Sequence, residues 1–181
     1  MAGGVEYSLP FDVAKHQVRI SQGSRGPWSH FRHSPTLDLT YAVDFALPFG
    51  TEVLAARAGV VLLALLTGKW FYEGLDPEVG NNPGRNFTNQ IVIEHKDGTR
   101  GYYSHLGGTP VVGGHQMVAA GEVIALSGRS GWVAKIPHIH FQVIDPDTFL
   151  SVPVAFVGYP WSLDHQTLLK SGQIWTGEET L

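Results

Sequence analysis

The chain has 181 residues, of which 43% are hydrophobic and 15% charged, and its net charge is −4. This length and composition predict one globular domain with its own core. The 12 lysines and arginines are dispersed along the chain, so nucleic-acid binding is not expected. Because cysteine is absent, disulfides and thiolate metal sites are excluded, and a metal ion would have to be bound by His, Asp or Glu.

The sequence predicts many short β-strands. Its 22 glycines and 11 prolines separate short apolar runs, several of them rich in β-branched or aromatic residues, and no segment has the pattern of a long amphipathic helix. We therefore expect an all-β domain. In chain order, the predicted strands are residues 17–21, 41–46, 51–56, 59–66, 89–95, 100–104, 123–126 and 138–144.

The segments between these strands differ in kind. Turn signals lie at residues 47–50, 95–98, 112–115 and 127–131. Residues 67–88 form a long irregular stretch, and loops of that length commonly border a functional site. TEVLAARAGVVLLA and HQMVAAGEVIALSG share an apolar pattern around paired alanines, which hints at two related β units.

No leader or membrane span is recognisable. The first residues, MAGGVEYSLP, lack the basic segment and the apolar run of a signal peptide. The longest apolar stretch, residues 58–66, is too short to cross a bilayer, so we expect no transmembrane segment.

Nine histidines are present, and the pair in PHIHF is the most informative. On a strand, His138 and His140 project to the same side, while Ile139 and Phe141 project to the other. Two imidazoles then share one small patch. A pair of exposed or hydrogen-bonded histidines with no further role is the alternative.

Asp44 is a carboxylate within the apolar run YAVDFALP, where a charge is costly unless it is paired or metal-bound. His30 and His33 lie upstream, so His, Asp and His could form the three-ligand set of a catalytic zinc site. The alternative is that Asp44 is a turn acid or an ion-pair partner of Arg57. His105 follows another predicted strand, which suits either a turn histidine or an acid or base.

Five segments are informative together and in this order: QGSRGPWSH, YAVDFALPFGTEVLAARAGVV, NQIVIEHKDGTRGYYSHL, VVGGHQMVAAGEVIALSGRSG and PHIHFQV. Over residues 22–156, they resemble the lysostaphin-type (M23 family) zinc metallopeptidases, which cleave peptides of bacterial peptidoglycan. The resemblance implies mostly antiparallel sheets with a duplicated hybrid motif and a zinc site on the floor of a groove. It also implies a single peptidase domain over residues 1–181, with residues 157–181 as a C-terminal extension.

Carried over by position, the resemblance implies that Asp44 and His140 are ligands of one Zn²⁺ per chain. His105 and His138 match the two histidines that act on the substrate and on the zinc-bound water, and which of them is the base is left open. In the commonest family pattern the third ligand stands four residues before the aspartate, a position that Thr40 occupies here. A subfamily with a GPWSH-like segment indicates His30, with His33 as the alternative.

The expected activity is therefore hydrolysis of amide bonds in peptidoglycan stem peptides or cross-bridges by a zinc-bound water. By resemblance, the protein would act outside the cell or in the periplasm, and we favour a monomer. Two alternatives are a non-catalytic binding or regulatory module of the same fold and a biotinyl or lipoyl carrier-like domain. The second lacks a lysine at the expected hairpin tip. The remaining histidines, 16, 95, 115 and 165, are predicted to be surface or structural residues.

Overall fold

The computed structural model describes residues 6–31, 33–34, 37–67, 71–72, 87–109, 111–133, 136–159, 168–170 and 173–175. Within these residues every regular element is a β-strand. In chain order the strands are β1 (Glu6–Tyr7), β2 (Val18–Gln22), β3 (His33–Ser34), β4 (Leu37–Asp38), β5 (Val43–Ala46), β6 (Glu52–Leu54), β7 (Gly59–Leu65), β8 (Phe71–Tyr72), β9 (Gln90–Glu94), β10 (Arg100–Ser104), β11 (Met117–Val118), β12 (Val123–Leu126), β13 (Gly131–Trp132), β14 (Ile139–Ile144), β15 (Ala155–Phe156), β16 (Leu168–Lys170) and β17 (Gln173–Trp175).

All eight predicted strands are present, and each end lies within two residues of the predicted one. They are β2, β5, β6, β7, β9, β10, β12 and β14. The strands that the sequence did not predict are two or three residues long, too short for a side-chain period to be recognised. Most of the predicted loop 67–88 and of the C-terminal segment falls outside the described residues, so the expectation that the loop borders a site stays a prediction.

The main sheet has the strand order β11-β7-β9-β10-β14-β5-β2-β16-β17, and all neighbouring strands in it are antiparallel. Two small pairs, β1 with β15 and β8 with β13, are parallel. The prediction of an all-β, mostly antiparallel domain is therefore confirmed for the described part of the chain.

The two segments with the shared alanine pattern pair with each other. Strand β6 lies antiparallel to β12, and β7 lies antiparallel to β11. Between these pairs Ala55 donates to the carbonyl of Glu122, and Gly121 donates to the carbonyl of Ala55. Each strand of one segment thus has a partner in the other, while the relation between the two units stays a prediction.

Side-chain alternation along β14 separates the core from the opposite face of the sheet. Ile139, Phe141 and Val143 are buried in the hydrophobic core. The ring of Phe141 lies 5.0 Å from that of Tyr103 and 5.8 Å from that of Phe156, centroid to centroid. The alternate positions of β14, including His140, therefore project from the other face.

Asp38 holds the segment that precedes β5. One carboxylate oxygen accepts hydrogen bonds from the backbone and hydroxyl of Thr40, and the other accepts from the backbone and hydroxyl of Ser151, at 2.8 and 2.9 Å. Burial raises the pKa of Asp38, but these four hydrogen bonds outweigh burial and lower it to about 2. The ionised carboxylate therefore stabilises the folded chain.

We predict that Gly59→Ala destabilises the fold. A Cβ at residue 59 would collide with the backbone carbonyl of Glu94 on the neighbouring strand, and a backbone atom in a sheet cannot move aside cheaply. Overpacking of this kind costs about 1–3 kcal/mol in unfolding free energy, measurable by urea unfolding. Gly113→Ala is the matched control, because a Cβ there would meet nothing within 4 Å, and equal losses in the two variants would contradict the prediction.

We also predict that Asp38 contributes to acid sensitivity. Because its folded-state pKa lies below its unfolded value of 3.8, its stabilisation is fully present above that value and is lost as pH falls toward about 2. The difference in unfolding free energy between the parent and Asp38→Asn should therefore shrink between pH 5 and pH 2. A pH-independent difference, measured by urea unfolding across this range, would show that the ionised carboxylate is not responsible.

Candidate metal centre and active site

A row of polar residues crosses five neighbouring strands of the main sheet. The backbone register pairs Gln90 with Ser104, Ser104 with His140, His140 with Asp44, and Asp44 with Gln22. Residues directly opposite one another in antiparallel strands project to the same face, so the row lies on the face opposite Phe141. A bulge in β2 falls between Ile20 and Gln22, at the end of the row.

Three members of the predicted zinc site meet on this face. His30, Asp44 and His140 each offer a ligand atom, and these atoms lie within 4.8 Å of one another. Nε2 of His30 lies 3.3 Å from Oδ2 of Asp44, and Nδ1 of His140 lies 2.9 Å from Oδ1. His30 is fully buried and Asp44 is 6% exposed. One cation could therefore contact all three side chains at once.

The state of His30 provides a test of whether a metal ion fits here. Its Nδ1 donates a hydrogen bond to the carbonyl of Gly23 at 2.8 Å, which leaves Nε2 of the neutral ring as a lone-pair acceptor. That Nε2 atom is buried without a hydrogen-bond partner and faces the Asp44 carboxylate. Burial lowers the pKa of His30, but the Asp44 carboxylate outweighs burial and raises it, so a positive charge is favoured between these two groups. A metal ion would supply that charge, and two imidazoles with one carboxylate suit zinc. The residues present fit the ion.

The charge of Asp44 is set by the histidines around it. Burial alone would raise the pKa of Asp44, but the neighbouring His138 and His30 and a hydrogen bond from His140 hold it well below its usual range. Arg57 is not its partner. The Arg57 guanidinium lies 2.7 Å from Asp97, so the alternative of an Arg57–Asp44 ion pair is wrong.

His105 and His138 form a second pair beside this cluster. Their ring centroids are 4.7 Å apart, and Nε2 of His138 lies 3.8 Å from Oδ1 of Asp44. Nδ1 of His105 donates to the carbonyl of Ser130, and Nδ1 of His138 donates to that of Ile136, both at 2.7 Å. Each neutral ring therefore keeps Nε2 as its proton acceptor.

The surroundings of His105 favour its neutral form. Burial, together with the nearby His138 and His140, lowers the pKa of His105 to about 3. Its backbone has a positive φ of 64°, an uncommon conformation for a residue with a side chain, and its N–H donates to the hydroxyl of Thr88 at 2.9 Å. Contacts from outside its own strand thus fix this ring.

Ser130 links His105 to the turn at residues 127–131. Its hydroxyl donates to the carbonyl of Leu106 and accepts from the backbone of Asn89, while its own carbonyl holds His105. Gly128 lets this turn approach, since a Cβ there would collide with the backbone of Leu106. The sequence predicted a turn at residues 127–131, but it did not reveal the roles of Ser130 and Asn89, for which no sequence signal was recognised.

The structure describes the remaining histidines unevenly. His33 begins β3, where it pairs with Asp38, and only its backbone is described, so the choice between His30 and His33 stays a prediction. His95 is buried, with Nδ1 donating to a backbone carbonyl at 2.9 Å, and His115 is exposed. Both positions agree with the predicted structural or surface roles, whereas His165 lies outside the described residues.

Large apolar side chains are exposed on the segments that carry the cluster. Trp28 and Phe31, on either side of His30, are 57% and 61% exposed, and Phe87, next to Thr88, is 57% exposed. Sequence reasoning did not single them out, because exposure of an aromatic residue in a loop has no pattern that distinguishes it from burial.

Comparison with known proteins gives a family match. The model described as Peptidase family M23 matches residues 38–150. Among curated protein sequences, none matches significantly. No helix among the described residues is long and apolar enough to cross a membrane.

Solved structures resemble the chain as well. A zinc-containing peptidase from Vibrio cholerae is 26% identical over 82% of this chain and 39% of that one, with a TM-score of 0.54. The M23 metalloprotease pseudoalterin from the deep sea is 18% identical over 82% and 74% of the two chains, with a TM-score of 0.50. For the catalytic domain of lysostaphin from Staphylococcus simulans, the values are 25% identity, 70% and 78% coverage, and a TM-score of 0.45. This chain thus spans about two fifths of the Vibrio cholerae protein's length.

We predict one tightly bound zinc ion per chain. Elemental analysis of protein purified without added metal should find near-stoichiometric zinc, and Asp44→Ala or His140→Ala should remove most of it, because each removes one predicted ligand. His30→Ala should lose zinc while His33→Ala keeps it. The reverse result would move the ligand to His33, and full zinc in the Asp44 and His140 variants would end the three-ligand hypothesis.

Proposed function

We propose, since the chain belongs to peptidase family M23, that it is a zinc metalloendopeptidase that hydrolyses amide bonds in peptidoglycan stem peptides or cross-bridges. The observation that carries this proposal is the cluster of buried His30 and Asp44 with partly buried His140, beside the His105–His138 pair. Metal-assisted hydrolysis of an amide uses both metal ligands and proton acceptors, and here the two groups of side chains lie side by side.

Zinc would be held by His30, Asp44 and His140. The free Nε2 of His30 faces the cluster, and His140 turns its Nδ1 toward Asp44, so these are the nitrogens that would bind. When bound, zinc supplies Lewis acidity, which polarises a carbonyl group and makes water more acidic. The Asp44 carboxylate balances part of the cation's charge.

His105 and His138 would carry the proton transfers. As the water oxygen bonds to the carbonyl carbon, the Nε2 of one ring accepts the proton that the water releases. The same ring donates that proton to the amine nitrogen as the C–N bond breaks, so that no proton is left over. The other ring, if protonated, stabilises the negative charge that develops on the carbonyl oxygen. Which ring has which role is left open.

A peptide substrate is supported by the surface beside the cluster. Trp28, Phe31 and Phe87 expose apolar area on segments next to His30 and Thr88, and an extended peptide could bury part of that area.

Peptidoglycan as the substrate implies that the protein acts in the cell envelope, outside the cell or in the periplasm. All five proposed site residues belong to one chain, so a monomer would suffice, as a single peptidase domain.

We predict that His105→Ala and His138→Ala separate metal binding from catalysis. Neither side chain is proposed to hold zinc, so the metal content should stay near that of the parent. Release of soluble fragments from purified cell walls should fall by about 10²–10⁴-fold, the usual cost of losing a general acid or base. His115→Ala, in an exposed turn, is the control and should keep its activity.

Three other outcomes would change this assignment. A His138→Ala protein that loses its zinc would exchange the roles of His138 and His140. Variants that keep both zinc and activity would make His105 and His138 structural residues. A parent that contains zinc and binds walls without cleaving any of them would favour the non-catalytic binding module.

A further inference from the structure

Gln22 lies at the end of β2, and both the oxygen and the nitrogen of its carboxamide are hydrogen-bonded. It is 3% exposed. Its Oε1 accepts hydrogen bonds from the backbone N–H groups of Trp28 and Ser29, both at 2.9 Å. Its Nε2 donates to the hydroxyl of Ser29 at 2.9 Å and to Oδ2 of Asp44 at 3.1 Å. These four contacts equal the ordinary hydrogen-bonding capacity of an amide side chain, so the group is fully satisfied.

The partners of Gln22 fix the orientation of its amide. Two backbone N–H groups can be met only by the oxygen, and the carboxylate of Asp44 can be met only by the nitrogen. If the amide were flipped, its N–H groups would face the backbone N–H groups of Trp28 and Ser29, and its oxygen would face the Asp44 carboxylate. Gln22 is therefore held in one orientation, with its donor on the carboxylate.

The loop that carries His30 is built around this side chain. Gly26 packs against Gln22, since a Cβ at residue 26 would collide with Cγ of Gln22. At the end of the loop, Nδ1 of His30 donates a hydrogen bond to the carbonyl of Gly23, where the loop begins. Residues 23–30 thus enclose the Gln22 carboxamide, and the position of His30 depends on it.

The same carboxamide also fixes the position of one carboxylate oxygen of Asp44. Oδ2, which accepts from Gln22, is also the oxygen that lies 3.3 Å from Nε2 of His30, whereas Oδ1 accepts from His140. The backbone register of β5 and β14 fixes Asp44 relative to His140. His30 has no strand register to fix it, and Gln22 bonds both to its loop and to Asp44.

We propose that Gln22 is the positioning residue of the metal centre: it sets the distance between the loop ligand His30 and the strand ligand Asp44. This inference rests on the proposed function. Groups that orient metal ligands without touching the metal typically contribute 10–100-fold to metal affinity. Gln22 should act in this way on zinc and should make no contact with the substrate.

The test is the zinc dissociation constant of Gln22→Met, measured by competition with a chelating dye on folded protein. Methionine keeps the length and apolar stem of glutamine but cannot replace its four hydrogen bonds. We expect affinity to fall about 10–100-fold. Cell-wall hydrolysis should recover as zinc is added, because the proposed catalytic histidines are intact. A role in folding alone would lower the stability of the metal-free protein and leave the dissociation constant unchanged, which would overturn the inference.

Gln90→Met is the matched control. Gln90 lies at the other end of the same polar row and donates to Ser104 at 2.8 Å, with no described contact to a proposed ligand. Its loss should leave zinc affinity unchanged, and an equal weakening in both variants would overturn the inference. If Gln22→Met does not fold, Ser29→Ala removes one partner of the carboxamide, and we expect about fivefold weaker zinc binding, the equivalent of one hydrogen bond. Unchanged affinity in Ser29→Ala would then overturn the inference.

Zinc binding by the parent protein distinguishes failure of the positioning role from failure of the proposed function. If the parent binds zinc and Gln22→Met binds it equally well, the positioning role fails and the proposed function stands. If the parent binds no zinc, the proposed function fails and the positioning role fails with it.

Discussion

A buried carboxylate organises this structure. Asp44 lies in the middle of the main sheet, 6% exposed, and a charge removed from water in this way costs several kcal/mol unless it is paired. The nearby side chains that compensate it are the imidazoles of His30, His138 and His140. Because His140 lies in β14, His138 lies directly before that strand and His30 lies in a loop, the strand order and the loop path must converge on a single residue. A cation at this point would complete the compensation.

The four site histidines fall into two groups according to the hydrogen-bond partner of Nδ1. His30, His105 and His138 each donate Nδ1–H to a backbone carbonyl, which fixes the tautomer without introducing charge and leaves Nε2 as the reactive atom. His140 differs, since its Nδ1 faces the carboxylate of Asp44. A nitrogen anchored by a carbonyl is unavailable to a metal ion or a proton, so the backbone itself determines which side of each ring can do chemistry.

Much of this fold, and part of the site, could be predicted from sequence. The strands longer than three residues follow from runs of β-branched and aromatic residues, and the shared face of His138 and His140 follows from strand alternation. An acid within an apolar run identified Asp44. By contrast, the role of Gln22 depends on a β-bulge and on contacts with a loop. The role of Ser130 depends on a turn packed against another strand. No local pattern encodes such contacts, because their partners lie far apart in sequence.

Taking the third ligand from a loop, as proposed for His30, would have a thermodynamic consequence. In the commoner arrangement, a histidine four residues before the aspartate lies on the same stretch of chain, but here Thr40 occupies that position and donates to Asp38 instead. His30 reaches Asp44 across residues 23–30, whose order depends on the carboxamide of Gln22 and the carbonyl of Gly23. An ion that binds His30 and Asp44 together would favour the ordered loop, and a change that lowers the ordered fraction of the metal-free loop would weaken the ion's binding by the same factor. Metal affinity and loop order would therefore be coupled through the carboxamide of Gln22.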